Sequence, residues 1–141
     1  MIRIAVLLTT LCMLVGCLPA PAAALNHASD LYRSGRYEDA AREYQRVIDM
    51  RPSWAAPYVG LGNARWALNQ RPAALQAYRQ AVTLSPDWVG ALTSLASALI
   101  DMDRSSEAVP ILTHALQVDP DNGSAKSLLD RARRRAAGKR P

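Results

Sequence analysis

A short phrase centred on a proline recurs at a fixed interval in this chain. It reads RPSW at Arg51–Trp54, SPDW at Ser85–Trp88 and DPDN at Asp119–Asn122, so that its three prolines are evenly spaced. Because proline cannot continue a helix, each copy marks a place where one helix ends before another begins. A period of about 34 residues is typical of stacked helix-turn-helix units, which bury their apolar faces only against one another. The interval therefore predicts an all-α solenoid.

The prolines divide residues 21–122 into three units, at residues 21–54, 55–88 and 89–122. In the third unit, Leu92, Leu95 and Leu99 fall on one face of a helix, as amphipathic packing requires. Small residues at positions 8 and 20 of each unit allow two antiparallel helices to approach closely, and position 24 supplies a bulky side chain. In this pattern the units resemble tetratricopeptide repeats, which they match at 21 of 24 diagnostic positions. The exceptions are Ala24, His27 and Arg65.

The segment after the third unit predicts one more helix over residues 123–137, followed by a basic tail at residues 138–141. Leu128, Leu129 and Ala132 fall on its apolar side, which suits a helix that caps the last repeat. Residues 126–141 hold seven basic residues against one acidic residue, whereas the rest of the chain holds ten basic and eleven acidic residues. The basicity therefore belongs to the end of the chain.

A basic surface is predicted at Arg131, Arg133, Arg134 and Arg135. One interpretation is a solvated face of the capping helix, and the other is a contact for anionic lipid or lipopolysaccharide. Clustered arginine can also neutralise nucleic-acid phosphates, but the export signal described next argues against that partner.

Residues 1–16 have the layout of a secretory signal peptide, with one cation followed by an apolar run too short to span a bilayer. The run closes with LVGC at residues 14–17, which resembles a bacterial lipobox. The resemblance implies cleavage before Cys17 and lipid attachment to that cysteine, with residues 17–20 as a short tether. The alternative is cleavage after Ala24, which would release a soluble periplasmic protein. Neither cleavage site leaves a cysteine pair for a disulfide, since Cys12 is removed with the signal peptide.

The lipoprotein interpretation also implies a destination. Leu18 follows the lipobox cysteine, so the aspartate that retains family members at the inner membrane is missing. In a Gram-negative cell the expected location is the outer membrane, facing the periplasm.

No arrangement of side chains typical of an enzyme is present. His27 and His114 lie far apart in sequence and have no nucleophile or metal-ligand companion at a suitable spacing, and no glycine-rich phosphate loop follows a strand. We therefore expect a non-enzymatic protein with no cofactor, metal or small-molecule substrate.

Stacked helical hairpins curve, and the concave surface binds segments of other proteins. Carried over from the family, the groove positions are Ser29, Tyr32, Arg33, Asn63, Trp66, Thr93, Ser97 and Asp101. In many relatives the residue matching Asn63 bonds the ligand backbone. Trp66 is interpreted either as the groove anchor or as a packing residue that replaces the apolar side chain missing at Arg65. The Lys and Arg that grip a terminal carboxylate in chaperone-binding relatives are absent here, so that clamp is not expected.

The combination is similar in plan to tetratricopeptide lipoproteins that help to assemble pili, secretion channels or outer-membrane machinery. By this resemblance, the chain is expected to be an adaptor that binds other envelope proteins or peptides through its groove and attaches to the membrane through its lipid.

Overall fold

The computed structural model describes residues 20–138, and these residues form helices without a single strand. The helices are α1 (Pro21–Arg33), α2 (Tyr37–Met50), α3 (Ala55–Ala67), α4 (Arg71–Leu84), α5 (Val89–Asp101), α6 (Ser105–Val118) and α7 (Gly123–Gly138). The predicted all-α repeat fold is confirmed. The signal segment, Cys17 and residues 139–141 lie outside the described residues.

Helix boundaries repeat at the interval of the prolines. The first helices of the three units begin at Pro21, Ala55 and Val89, and the second helices begin at Tyr37, Arg71 and Ser105. Each proline phrase folds into a tight turn; for example, the Trp54 amide donates to the Arg51 carbonyl at 3.1 Å. The equivalent bond follows in the next two phrases, at 3.1 and 3.2 Å.

The two helices of each unit are joined by a three-residue turn whose central residue has a positive φ. These residues are Gly35 at 79°, Asn69 at 58° and Asp103 at 61°. Glycine, asparagine and aspartate accept this left-handed conformation more readily than other residues do, so the turn chemistry suits the reversal. The reversal sets the two helices of each unit antiparallel.

Close approach between helices depends on two glycines of α3. A Cβ atom built on Gly62 would lie 2.5 Å from the ring of Tyr78, and one built on Gly60 would lie 2.3 Å from the ring of Tyr44. Tyr78 belongs to the same unit as α3, and Tyr44 belongs to the preceding unit. The glycines therefore let one ring pack within the unit and another pack between units.

Helix α7 completes the stack by burying one face against the third unit. Ala125, Leu129 and Ala132 are buried and join the same core cluster as residues of α5 and α6. The helix begins with a side-chain cap, since the Ala125 amide donates to Asn122 Oδ1 at 3.0 Å. No helix within residues 20–138 is both long and apolar enough to cross a membrane.

We expect Gly62→Ala to destabilise the protein by about 1–3 kcal/mol, because the new methyl group would force the buried Tyr78 ring out of place. The measurement is urea unfolding followed by circular dichroism. Gly123→Ala is the matched control, since a Cβ there meets no atom within 4 Å. Equal stability of the Gly62 variant and the wild type would show that the ring moves without cost.

Candidate functional site

A cavity of about 210 Å³ lies between α3 and α5, with one residue of α4 in its wall. It is lined by Asn63, Trp66, Tyr78, Ser94, Ser97, Ala98 and Asp101. Four of these residues, Asn63, Trp66, Ser97 and Asp101, were predicted to belong to the groove. The first helices of neighbouring units thus present one polar cavity with an aromatic wall.

The side-chain amide of Asn63 is held in a defined orientation. The hydroxyl group of Tyr78 donates to Asn63 Oδ1 at 2.8 Å. Since the carbonyl end of the amide is engaged, its NH₂ group remains as a donor for a ligand. Burial, with a smaller contribution from Tyr32, raises the pKa of Tyr78, so this phenol stays protonated and keeps donating at neutral pH.

The same geometry recurs in the first unit with a different residue. The hydroxyl group of Tyr44 donates to Ser29 Oγ at 3.2 Å, and the Ser29 hydroxyl group donates to the Leu25 carbonyl at 2.9 Å. Ser29 is therefore engaged on both sides. In the third unit, Leu112 takes the place of the tyrosine, and a leucine has no hydroxyl group to offer Ser97.

Helix α7 supplies the missing partner of the third unit. Nη2 of Arg131 lies 3.5 Å from Ser97 Oγ and 3.5 Å from a carboxylate oxygen of Asp101. Nε of Arg131 is buried and makes no hydrogen bond within residues 20–138. This arginine therefore contacts two residues that line the cavity, Ser97 and Asp101, although it is not itself part of the lining.

The four arginines of the predicted basic surface lie in different surroundings. Arg131 contacts Ser97 and Asp101, and Arg135 donates to the Ile100 carbonyl at 2.8 Å, near the end of α5. Arg133 and Arg134 are exposed. Two of the four therefore attach α7 to α5, and two point into solvent.

Trp66 both packs and faces the cavity. It is partly buried against the core cluster formed by the second and third units. It also lines the cavity, and the guanidinium carbon of Arg71 lies 5.3 Å from its ring centroid. Such a cation–π contact restricts the indole ring, so the wall it offers to a ligand is rigid.

The remaining predicted groove residues lie outside the cavity lining. Tyr32 packs its ring against that of Tyr37, with centroids 5.3 Å apart, and its pKa is raised by burial first and then by Tyr37 and Tyr44. Arg33 forms an exposed ion pair with Asp30 at 2.7 Å. The Thr93 hydroxyl group donates to backbone carbonyls of its own helix.

Three lining residues, Tyr78, Ser94 and Ala98, were not predicted from the sequence, and neither was the contact of Arg131 with two lining residues. Tyr78 was assigned to packing alone, although its 15-residue separation from Asn63 repeats the separation of Tyr44 from Ser29. Ser94 was not selected. Arg131 was placed on an outer surface, although it stands one repeat interval after Ser97 and thus continues the register. The repeat interval was the signal that could have found both the tyrosine and the arginine.

The side chains around the site do not form a metal centre. Within the described part of the chain, no group of three or more His, Cys, Asp or Glu side chains is placed to hold a metal ion.

Comparison with known proteins agrees with this architecture. Two family models described as tetratricopeptide repeat match the chain, one over residues 25–87 and the other over residues 65–132. Together they span most of the helical stack. The chain therefore contains tetratricopeptide repeats over residues 25–132. No curated protein sequence is significantly similar to it.

Several solved structures share the fold. The first tetratricopeptide domain of human RPAP3 has a TM-score of 0.79 and 19% identity, covering 84% of this chain and 94% of that chain. The TPR2B domain of yeast Sti1, in a complex with pHsp70, has a TM-score of 0.74 and 23% identity, covering 85% and 98%. The Yersinia enterocolitica type III secretion chaperone SycD, in complex with a peptide of the translocator YopD, has a TM-score of 0.69 and 23% identity, covering 82% and 88%.

Proteins of this fold are typically non-enzymatic scaffolds, and the repeat domain indicates an adaptor for protein–protein interaction. At these identities the structures establish the shared fold alone.

We expect stability to fall as the pH rises above about 10, where tyrosine ordinarily titrates. Because burial raises the pKa of Tyr78, the folded state keeps a proton that the unfolded chain releases, which favours unfolding. At neutral pH, Tyr78→Phe should be less stable than the wild type by about 1 kcal/mol, because Asn63 Oδ1 loses its donor. Between neutral pH and about pH 11, however, the variant should lose less stability than the wild type does. Urea unfolding across this range is the measurement, and identical alkaline slopes would contradict the assignment.

Proposed function

We propose that this protein is a peptide-binding adaptor of the bacterial cell envelope, attached to the membrane by lipid on Cys17. The observation that carries the binding role is the cavity in which Tyr78 orients the amide of Asn63 beside the indole of Trp66. A donor fixed next to a rigid aromatic wall suits a peptide, which offers a backbone carbonyl and an apolar side chain together.

The size of the cavity favours a segment that lies across the groove. At about 210 Å³ it is smaller than most pockets for cofactors or small molecules, which measure roughly 300–1,000 Å³. It accepts one or two side chains and leaves the rest of the ligand on the open helical face. The Sti1 and SycD structures support this mode, since the first is a complex with pHsp70 and the second a complex with a peptide of YopD.

In this mode each residue has a distinct task. The NH₂ group of Asn63 donates to a carbonyl of the peptide backbone, and Trp66 packs on an apolar side chain. The Ser97 hydroxyl group and the Arg131 guanidinium group serve polar atoms of the next residue. Asp101 pairs with Arg131 at 3.5 Å, and both side chains remain partly exposed.

The envelope location rests on the lipobox and on the position of α1. Cleavage after Ala24 would remove the first turn of α1, in which Ala24 is buried. Cleavage before Cys17 leaves that turn intact, with three residues between the lipid and the helix. At about 3.5 Å per residue, the four-residue tether of residues 17–20 would keep the start of α1 within roughly 15 Å of the bilayer. The alternative is a soluble periplasmic peptide-binding protein that lacks the anchor.

The pathway is proposed by analogy with envelope lipoproteins of the same family. We assign the protein to the outer membrane of a Gram-negative cell, facing the periplasm, where it assists the assembly of a pilus, a secretion channel or other outer-membrane machinery. Its partners are envelope proteins with accessible extended segments.

Peptides selected from a random library on the purified protein provide a test of the groove. We expect Trp66→Ala to raise the Kd of such peptides by about 30-fold, corresponding to about 2 kcal/mol at a central aromatic contact. Fluorescence polarisation measures the Kd, and urea unfolding checks that the variant is folded. Asn63→Ser should also weaken binding, since serine preserves an acceptor for Tyr78, as Ser29 does for Tyr44, but removes the amide donors.

Trp54→Ala is the matched control, because Trp54 lies outside this cavity and its replacement should leave the Kd unchanged. Unaltered peptide binding by a folded Trp66→Ala variant would assign Trp66 to packing alone.

Metabolic labelling with a palmitate analogue tests the anchor. We expect the wild-type protein and Cys12→Ser to incorporate the label and Cys17→Ser to lose it, because only Cys17 remains after cleavage at the lipobox. The two cysteines are the only ones in the chain, so Cys12→Ser is a complete control. An unlabelled protein recovered from the periplasmic fraction would support the soluble alternative.

A further inference from the structure

The two edges of the helical stack differ in chemistry. We define the proline edge as the edge where α2, α4 and α6 end and where α3, α5 and α7 begin; it carries the three proline turns. Helix α1 also begins there, at Pro21. We define the turn edge as the opposite edge, which carries the turns centred on Gly35, Asn69 and Asp103.

Exposed apolar surface is concentrated at the proline edge. The three most exposed large hydrophobic side chains within residues 20–138 are Met50 at 37%, Trp88 at 38% and Val118 at 41%. Met50 and Val118 are the last residues of α2 and α6, and Trp88 directly precedes α5. All three therefore lie at this edge, although they come from different units.

Trp54 and Trp88 form a shallow aromatic cleft at the same edge. They occupy the same position in successive units, and together they border a cavity of about 300 Å³ whose other lining residues are serines and alanines. The indole nitrogen of Trp88 lies 2.9 Å from the place that a Cβ atom on Gly90 would occupy, so this ring lies against the start of α5. Indole rings that combine an apolar body with an N–H donor are enriched where membrane meets water.

The two edges also differ in the charge of the residues that they carry. The first three residues of every helix that begins at the proline edge are uncharged, at residues 21–23, 55–57, 89–91 and 123–125. The turn edge carries ion pairs such as Arg33 with Asp30, Arg36 with Asp39 and Arg104 with Glu107. The helices that begin at the proline edge therefore start with uncharged residues, whereas the turn edge carries several ion pairs.

The charges that do lie at the proline edge are mixed. Asp87 pairs with His114 at 2.9 Å, and Asp121 pairs with Lys126 at 3.3 Å. The guanidinium carbon of Arg51 lies 5.4 Å from the ring centroid of Trp54. Asp49 and Asp119 add two acids, whose oxygens accept from Gln45 and Asn122. With four carboxylates against Arg51, Lys126 and His114, this edge has no excess of positive charge to attract an anionic surface, and a zwitterionic surface suits it better.

The chain enters the described structure at this edge. Ala20 precedes the first residue of α1, and residues 1–19 come before it. A lipid on Cys17 would therefore pull the proline edge, and not the turn edge, towards the bilayer.

We propose that the proline edge rests on the zwitterionic bilayer interface, with Trp54 and Trp88 at the level of the lipid headgroups. The inference rests on the proposed lipid attachment and adds an orientation to it. In this orientation the helix axes are perpendicular to the membrane plane, and the units stack along a direction parallel to it. The peptide groove opens sideways, and the charged turn edge faces away from the bilayer.

Tryptophan quenching tests this orientation on the full-length lipoprotein, purified from membranes and returned to phosphatidylcholine vesicles. The chain has three tryptophans, so Trp66→Phe emits from Trp54 and Trp88 alone. We expect this variant to lose emission when the phosphatidylcholine carries bromine in the upper part of its acyl chains. The matched control, Trp54→Phe with Trp88→Phe, emits from Trp66 in the groove and should keep its emission.

The outcomes separate the inference from the function on which it rests. Mass spectrometry of the same preparation reports the lipid; lipid-bearing protein whose Trp54 and Trp88 are not quenched would overturn the orientation but leave the anchor in place. Equal quenching of both reporters would place another face on the bilayer. Absence of lipid would remove the anchor and the orientation together. Stronger quenching on addition of phosphatidylglycerol would assign the contact to the arginines of α7 and would contradict the inference.

Discussion

The architecture depends on the contact between the glycines of α3 and two tyrosine rings. Gly60 admits Tyr44 from the preceding unit, and Gly62 admits Tyr78 from its own unit, at distances that no larger residue would allow. The contact of Gly62 with the Tyr78 ring also positions the hydroxyl group of Tyr78, which donates to Asn63. Packing and recognition therefore share one side chain: the ring fixes the helix spacing, and its hydroxyl group orients the amide that a peptide would meet.

The candidate site is produced by differences between the units. Ser29, Asn63, Ser97 and Arg131 occupy the same position in successive repeats, on the first helices of the three units and on α7. Where a tyrosine is available, as in the first two units, its hydroxyl group engages the polar residue at this position. In the third unit Leu112 cannot do so, and Arg131 approaches from α7 instead. A uniform array would offer one environment repeated three times, whereas this chain offers a neutral amide beside the ion pair of Asp101 with Arg131.

The fold could be predicted from the sequence because its signals are local and periodic. Proline turns, helical spacing of leucines and small residues at the helix crossings all act within one unit, and the all-α repeat fold is confirmed. The positions of Asn63 and Trp66 followed from the repeat register. The contacts of Arg131 and Arg135 with α5 did not, because they depend on how α7 is rotated against its neighbour. Charge alone placed all four arginines of α7 on one surface, since composition carries no information about that rotation.

Helix α7 joins the stability of the stack to the integrity of its groove. In a solenoid each helix pair is stabilised mainly by its nearest neighbours, so the last element lacks a partner on one side and opens most readily. Here that element buries Leu129 against the third unit and also brings Arg131 to Ser97 and Asp101. Opening of α7 therefore removes the contacts of Arg131 with Ser97 and Asp101, two residues that line the cavity. A peptide that contacts Arg131 would bind only while α7 is packed against the third unit. Binding would then stabilise the packed position of α7 over the open one, because the peptide has a higher affinity for the packed state. Under the proposed peptide-binding role, the capping helix would thus couple occupancy of the groove to order at the end of the chain.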